Sequence, residues 1–240
     1  MCTDQTGRFP TTSYRGMQYV MVLYEPTESN AIVVVPMRNR TSGEMLATYL
    51  TLVNRLKKAG IEPKLYILNN ECSNEFKEAI RKNVGNFQLV PPHDHRRNVA
   101  EKAIQVFKDY FISVLCGTDT SFTVRLWCRL LRQSEHQLNM LRTSRVDNST
   151  STFEIMGGQK HDYNSNPFAP LGQAVEMHVM PSKRKTWEEH TKSGFYLGNS
   201  VEHYRCHEIW ITDTKSLRVG QPAFFRHKYA THPLVSLTAG

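Results

Sequence analysis

The chain has no apolar run near the roughly 18 residues that a membrane-spanning helix needs, so no membrane partner is expected. Its first ten residues, MCTDQTGRFP, lack the apolar core of a secretory signal. Five cysteines (Cys2, Cys72, Cys116, Cys128 and Cys206) are scattered, and no pair has CxxC spacing. Neither a disulfide framework nor a zinc site is expected from them. These absences lead to the expectation of an intracellular protein with reduced thiols. Internal repeats and sustained heptads are also missing, which excludes solenoids and coiled coils.

What is present is a basic, globular composition. The 240 residues are 40% hydrophobic and carry a formal net charge of +8, enough apolar matter for a real core and a surface suited to an acidic partner. Nucleic acid is the leading partner class on charge and an anionic membrane surface the second. Tyr19–Tyr24 (YVMVLY) and Ala31–Met37 (AIVVVPM) are short apolar, β-branched runs joined by a polar turn, which reads as an antiparallel hairpin. Helical spacing follows over Glu44–Ala59, with Thr41 or Ser42 as cap and Gly60 as stop. Pro63–Leu68 is a third strand, Ser73 or Asn74 opens a helix to about Lys82, and Phe87–Val90 is a fourth strand. Asn98 caps a long amphipathic helix, and a further helix runs from Val124 to about Arg142. Trp127 and Trp210 read as core residues, and Asp119, Glu135 and Asp147 as surface acids.

After Ser144 the composition shifts to Asn, Ser, Thr, Gly and Pro. Short alternating runs then follow: Gln173–Met180, Gly194–Leu197, Tyr204–Thr212 and Leu217–Val219. The reading is a mixed α/β domain over 1–144, a linker over 145–167 and a small all-β module over 168–232, expected as a five-stranded barrel.

The chemistry-bearing stretch is Leu89–Lys108, LVPPHDHRRNVAEKAIQVFK. It delivers Glu101, one turn inside a helix, past a loop of histidine and arginine. Two-metal phosphoryl transfer needs carboxylates gathered from separate strand ends and a facing helix, because Mg²⁺ takes hard oxygen ligands and leaves positions for substrate phosphate. Asp4, position 69 and Glu101 occupy such places.

Here the sequence resembles a known family. TDQTGRFPTTSYRGMQYVMVLY, PKLYILNNECS and LVPPHDHRRNVAEKAIQVFKDYFI resemble, in order, the three acid-bearing segments of the integrase core of Ty1/copia-type LTR retrotransposon polyproteins. RLWCRLLRQSEHQLNMLRTSR resembles the helix after that core, and FAPLGQAVEMHV with SGFYLGNSVEHYRCHEIWITDT the SH3-like module beyond it. The resemblance implies an RNase H-like mixed sheet with flanking helices, then an SH3-like barrel. It also implies a polynucleotidyl transferase using Mg²⁺ or Mn²⁺, with DNA as partner, a homo-oligomeric working form and a nuclear site of action. Asp4 and Glu101 match the first and third acids of the family's Asp-Asp-Glu triad and are the expected metal ligands.

The second acid does not match. Leu68-Asn69-Asn70-Glu71 places Asn69 where the family has aspartate. An asparagine offers one neutral carbonyl and none of the charge that a ligand bridging two Mg²⁺ ions supplies, so metal binding is expected to be weak and catalysis impaired. Three residues precede Asp4, which leads to a second expectation: most of the first strand is missing, and the sheet opens with Tyr19–Tyr24. His95, Arg96 and Arg97 in the loop, Lys102 and Lys108 on the helix, and Lys183, Arg184 and Lys185 beside Trp187 are the candidate DNA contacts. The paired histidines His93 and His95 lack partners at zinc spacing. Besides an impaired integrase core, two readings stay open: a nucleic-acid-binding scaffold that kept the fold without the chemistry, and a nuclease of the same fold.

Overall fold

The computed structural model describes residues 1–68, 74–83, 85–89, 99–157, 159–221 and 223–226. The chain divides into two compact units, one of Met1–Leu115 with Thr123–Asn164, the other of Cys116–Phe122 with the chain from Ser165 onward.

The first unit is built on a five-stranded mixed sheet. Its strands are β1 (Cys2–Gln5), β2 (Tyr19–Tyr24), β3 (Ile32–Met37), β4 (Leu65–Leu68) and β5 (Asn86–Leu89), in the order β3-β2-β1-β4-β5. The expectation that the sheet opens with Tyr19–Tyr24 is therefore corrected. β1 is short, yet it takes the central place, antiparallel to β2 with Asp4 opposite Val22 and parallel to β4 with Cys2 opposite Ile67. CTDQ carries no apolar run, so hydrophobic periodicity had nothing to detect. Backbone pairing on both sides makes it a strand.

Helix α1 (Ser42–Lys58) begins where Thr41 accepts a hydrogen bond from the Glu44 N–H and ends before Gly60, whose φ of +75° a side chain would strain. Its buried stripe of Tyr49, Leu52, Val53 and Leu56 packs with Met21, Leu23, Val33 and Met37 of the sheet. Helix α2 (Asn74–Asn83) adds Phe76 and Ile80 to the same core. Helices α3 (Val99–Gly117) and α4 (Trp127–Met140) follow, a short 3-10 turn at Val124–Leu126 leading into α4. Trp127 is fully buried, as expected, and stacks on Phe9 with ring centroids 4.3 Å apart. The span expected as a linker holds α5 (Thr152–Gly157), where Thr152 is buried and donates to the Ser29 carbonyl at 2.7 Å.

The expectation that Glu135 is a surface acid is wrong. It is 1% exposed, and it serves the edge of the sheet. Its Oε2 accepts the Val34 N–H at 2.8 Å, while Arg55 pairs with the same carboxylate and reaches the Val34 carbonyl. One helical turn on, Asn139 accepts from the Ile32 N–H and donates to the Ile32 carbonyl. Side chains of α4 thus stand in for a sixth strand and satisfy the unpaired backbone of β3.

The second unit is an antiparallel sheet of β6 (Ala174–His178), β7 (Thr191–Asn199), β8 (His207–Ile211), β9 (Ser216–Gly220) and β10 (Ala223–Phe225), in the order β10-β6-β7-β8-β9. The expected five-stranded barrel is corrected to an open sheet: among the described residues β9 and β10 are not paired. The sheet curls, since a Cβ on Gly220 of β9 would lie 3.1 Å from the Met177 sulfur on β6, but the three-residue β10 pairs only with β6. Gly172 (φ +72°) lies against Thr118, whose Cγ2 would be 2.5 Å from an added Cβ. Its carbonyl accepts the Asp119 N–H, which fixes the 116–122 segment to this unit.

Candidate active site

The site forms where the parallel strands β1 and β4 end at the same edge of the sheet, the position at which open α/β sheets place their ligands. Asp4 is half-buried on β1. Its Oδ1 accepts the Gln5 N–H at 2.7 Å. Burial raises its pKa above the usual carboxylate value; the Gln5 hydrogen bond opposes the rise, the negative charge of Glu101 adds to it, and the Arg40 guanidinium offsets part. The net direction is upward. Glu101 lies exposed in the first turn of α3, where the helix dipole favours a carboxylate. The structure thus brings two of the three expected residues within electrostatic reach of one another.

Asn69 lies outside the described residues, directly after Leu68, the last residue of β4. Among the described residues no group of three His, Cys, Asp or Glu could hold a metal ion. Two hard carboxylates, one of them held above its usual pKa, suit a single divalent cation, whose charge would favour the ionised form of Asp4.

Arg40, which is not among the residues expected at the site, lies close to it. Its Nη2 donates to the Thr6 carbonyl at 2.7 Å, and its Cζ stands 4.7 Å from the centroid of the Tyr19 ring. Thr6 continues β1, donating its N–H to Val20 and accepting the Val20 N–H on its hydroxyl. The Arg38-Asn39-Arg40 run, directly after the apolar strand β3, is the signal that could have singled it out.

Of the candidate DNA contacts, His95, Arg96 and Arg97 lie outside the described residues. Lys102 and Lys108 are exposed on α3. In the second unit Lys183 and Lys185 are exposed, Arg184 is half-buried, and Trp187 is 99% exposed. Acids follow immediately: Glu188 accepts the Lys185 N–H at 2.9 Å, and Glu189 comes next.

No protein-family model and no curated protein matches the sequence. Solved structures do match. A chain of the simian T-cell lymphotropic virus intasome, determined by cryo-EM in complex with PP2A regulatory subunit B56 gamma, is 12% identical with a TM-score of 0.50, over 97% of this chain and 78% of that one. The catalytic core domain of BIV integrase is 16% identical with a TM-score of 0.46, over 65% of this chain and 91% of the other. The likeness is one of fold, an integrase-like mixed α/β architecture.

Proposed function

We propose that the chain is an integrase-type polynucleotidyl transferase core of a Ty1/copia-like retroelement, impaired in catalysis by Asn69. The observation that carries this reading is the placement of Asp4 on the central strand of an integrase-like fold, with Glu101 in the first turn of α3 near enough for its charge to act on Asp4. Asp4 and Glu101 would hold Mg²⁺ or Mn²⁺, which supplies Lewis-acid activation of a phosphodiester and of the attacking oxygen. The protein's own share is to keep Asp4 ionised through the Gln5 N–H and Arg40 and to present Glu101 from a helix N-terminus. Basic side chains on α3, with the SH3-like second unit, would bind retroelement-end and target DNA, in a homo-oligomer acting in the nucleus.

Specific observations also favour a non-catalytic nucleic-acid-binding reading. Asn69 removes a charge from the site, and the fully exposed Trp187 stands beside Lys183 and Lys185 as a base-stacking platform would. One experiment separates the two. The wild type and Asn69→Asp are compared for Mn²⁺-dependent nicking and strand transfer on a labelled duplex. The expected result is little activity in the wild type and a clear gain in Asn69→Asp. An inert Asn69→Asp that still binds DNA favours the scaffold reading. No DNA binding at low salt rejects both.

A further inference from the structure

A dicarboxylate site that works on a polyanion has an electrostatic problem. Two negative side chains repel the phosphate they are meant to process, and a divalent cation shared by them leaves little surplus positive charge. A fixed basic group at the rim would offset the remainder, and a guanidinium suits that role because its charge does not titrate and its donors form a planar fork matched to phosphate oxygens.

Arg40 meets these conditions. It immediately precedes Thr41, the cap of α1, so its backbone is set by the start of a 17-residue helix. Its side chain is clamped twice, by the Thr6 carbonyl at 2.7 Å and by the face of Tyr19 at 4.7 Å. Both clamps flank the strand that carries Asp4: Thr6 lies two residues beyond Asp4, and Tyr19 opens β2, which pairs with β1. Among the described residues, Arg40 makes no other hydrogen bond or ion pair, and it is exposed. A guanidinium has five N–H donors, so most remain for a ligand.

We propose that Arg40 is a phosphate-binding residue of the Asp4–Glu101 site, pre-oriented by the Tyr19 ring and the Thr6 carbonyl. The inference rests on the integrase-type reading above and assigns the group that receives the substrate phosphate there. A purely structural Arg40 would use its charge only against Tyr19 and Asp4 and would contribute nothing to the salt dependence of DNA binding.

The test is binding of a fluorescent duplex oligonucleotide across a sodium chloride series at one fixed Mg²⁺ concentration, for the full-length wild type, Arg40→Gln, Arg40→Lys and Lys57→Gln. Lys57 is exposed in the last turn of α1, roughly 25 Å along the helix from Arg40, and controls for net charge alone. Arg40→Gln should weaken binding several-fold and flatten the plot of log K against log salt by about 0.9, the loss of one phosphate contact. Arg40→Lys should restore the slope, and Lys57→Gln should leave it unchanged. An Arg40→Gln slope equal to that of Lys57→Gln overturns this inference and leaves the integrase-type reading standing. Absence of wild-type binding at low salt rejects both.

Discussion

Asp4 carries a charge that its surroundings oppose, and the consequence can be measured. Its pKa is raised in the folded chain, first by burial and then by Glu101. A carboxyl with a folded pKa above its unfolded value binds more protons when folded, so its contribution to stability falls as pH rises from the unfolded value through the raised one. Asp4→Asn should therefore raise the melting temperature at neutral pH without metal and lose any stabilisation by Mn²⁺; thermal melts with and without the ion test both. Glu25 shows the opposite sign. Its carboxylate accepts the N–H groups of Thr27, Glu28 and Ser29 and the hydroxyls of Thr27 and Ser29, and although burial pushes its pKa up, these bonds prevail and hold it at about 2. That stability is present above an unfolded pKa near 4.5 and is lost as pH falls toward about 2. Glu25→Ala should cost about 2 kcal/mol or more at pH 7, with the difference from wild type vanishing near pH 2 in urea titrations. Of the candidate site, Asp4 and Glu101 were proposed from their motif positions, and the fold puts Glu101 near enough for its charge to act on Asp4. Arg40 was not legible in the sequence, because its role depends on a ring and a carbonyl that only folding brings beside it.

At the scale of elements, the apolar strands β2 and β3 and the capped helix α1 were legible because each has a periodic, bounded pattern. Strand β1 and the edge-covering role of α4 were not. A four-residue strand of CTDQ is held by backbone pairing to β2 and β4, and Glu135 and Asn139 look like surface residues until β3 lies against them. Asn139→Leu tests the edge cover. It would leave the Ile32 N–H and carbonyl buried without partners, at about 1–3 kcal/mol for each group, and should lower the urea midpoint accordingly. The freed edge should also promote aggregation near the melting temperature, visible by light scattering. In the second unit, alternation identified the strands but not their closure. Whether a curled sheet closes depends on the length and partners of its last strand, and β10 has three residues, all paired to β6.

At the scale of the whole molecule, the charge of +8 and the exposed basic and aromatic side chains point to a polyanion partner. Binding to duplex DNA should show little sequence preference and fall steeply with salt. Trp187→Ala should weaken single-stranded binding by about 1–3 kcal/mol while leaving the duplex salt slope unchanged. The central claim is the proposed one, that Asn69 withholds the third charge which a two-metal centre built on Asp4 and Glu101 would need. Manganese binding to the wild type and to Asn69→Asp, followed by calorimetry or electron paramagnetic resonance, tests it most directly. The account predicts weak binding in the wild type, at least tenfold tighter binding in Asn69→Asp, and loss of that gain when Asp4→Asn is added. An Asn69→Asp protein that is folded and binds Mn²⁺ no better than the wild type would contradict it.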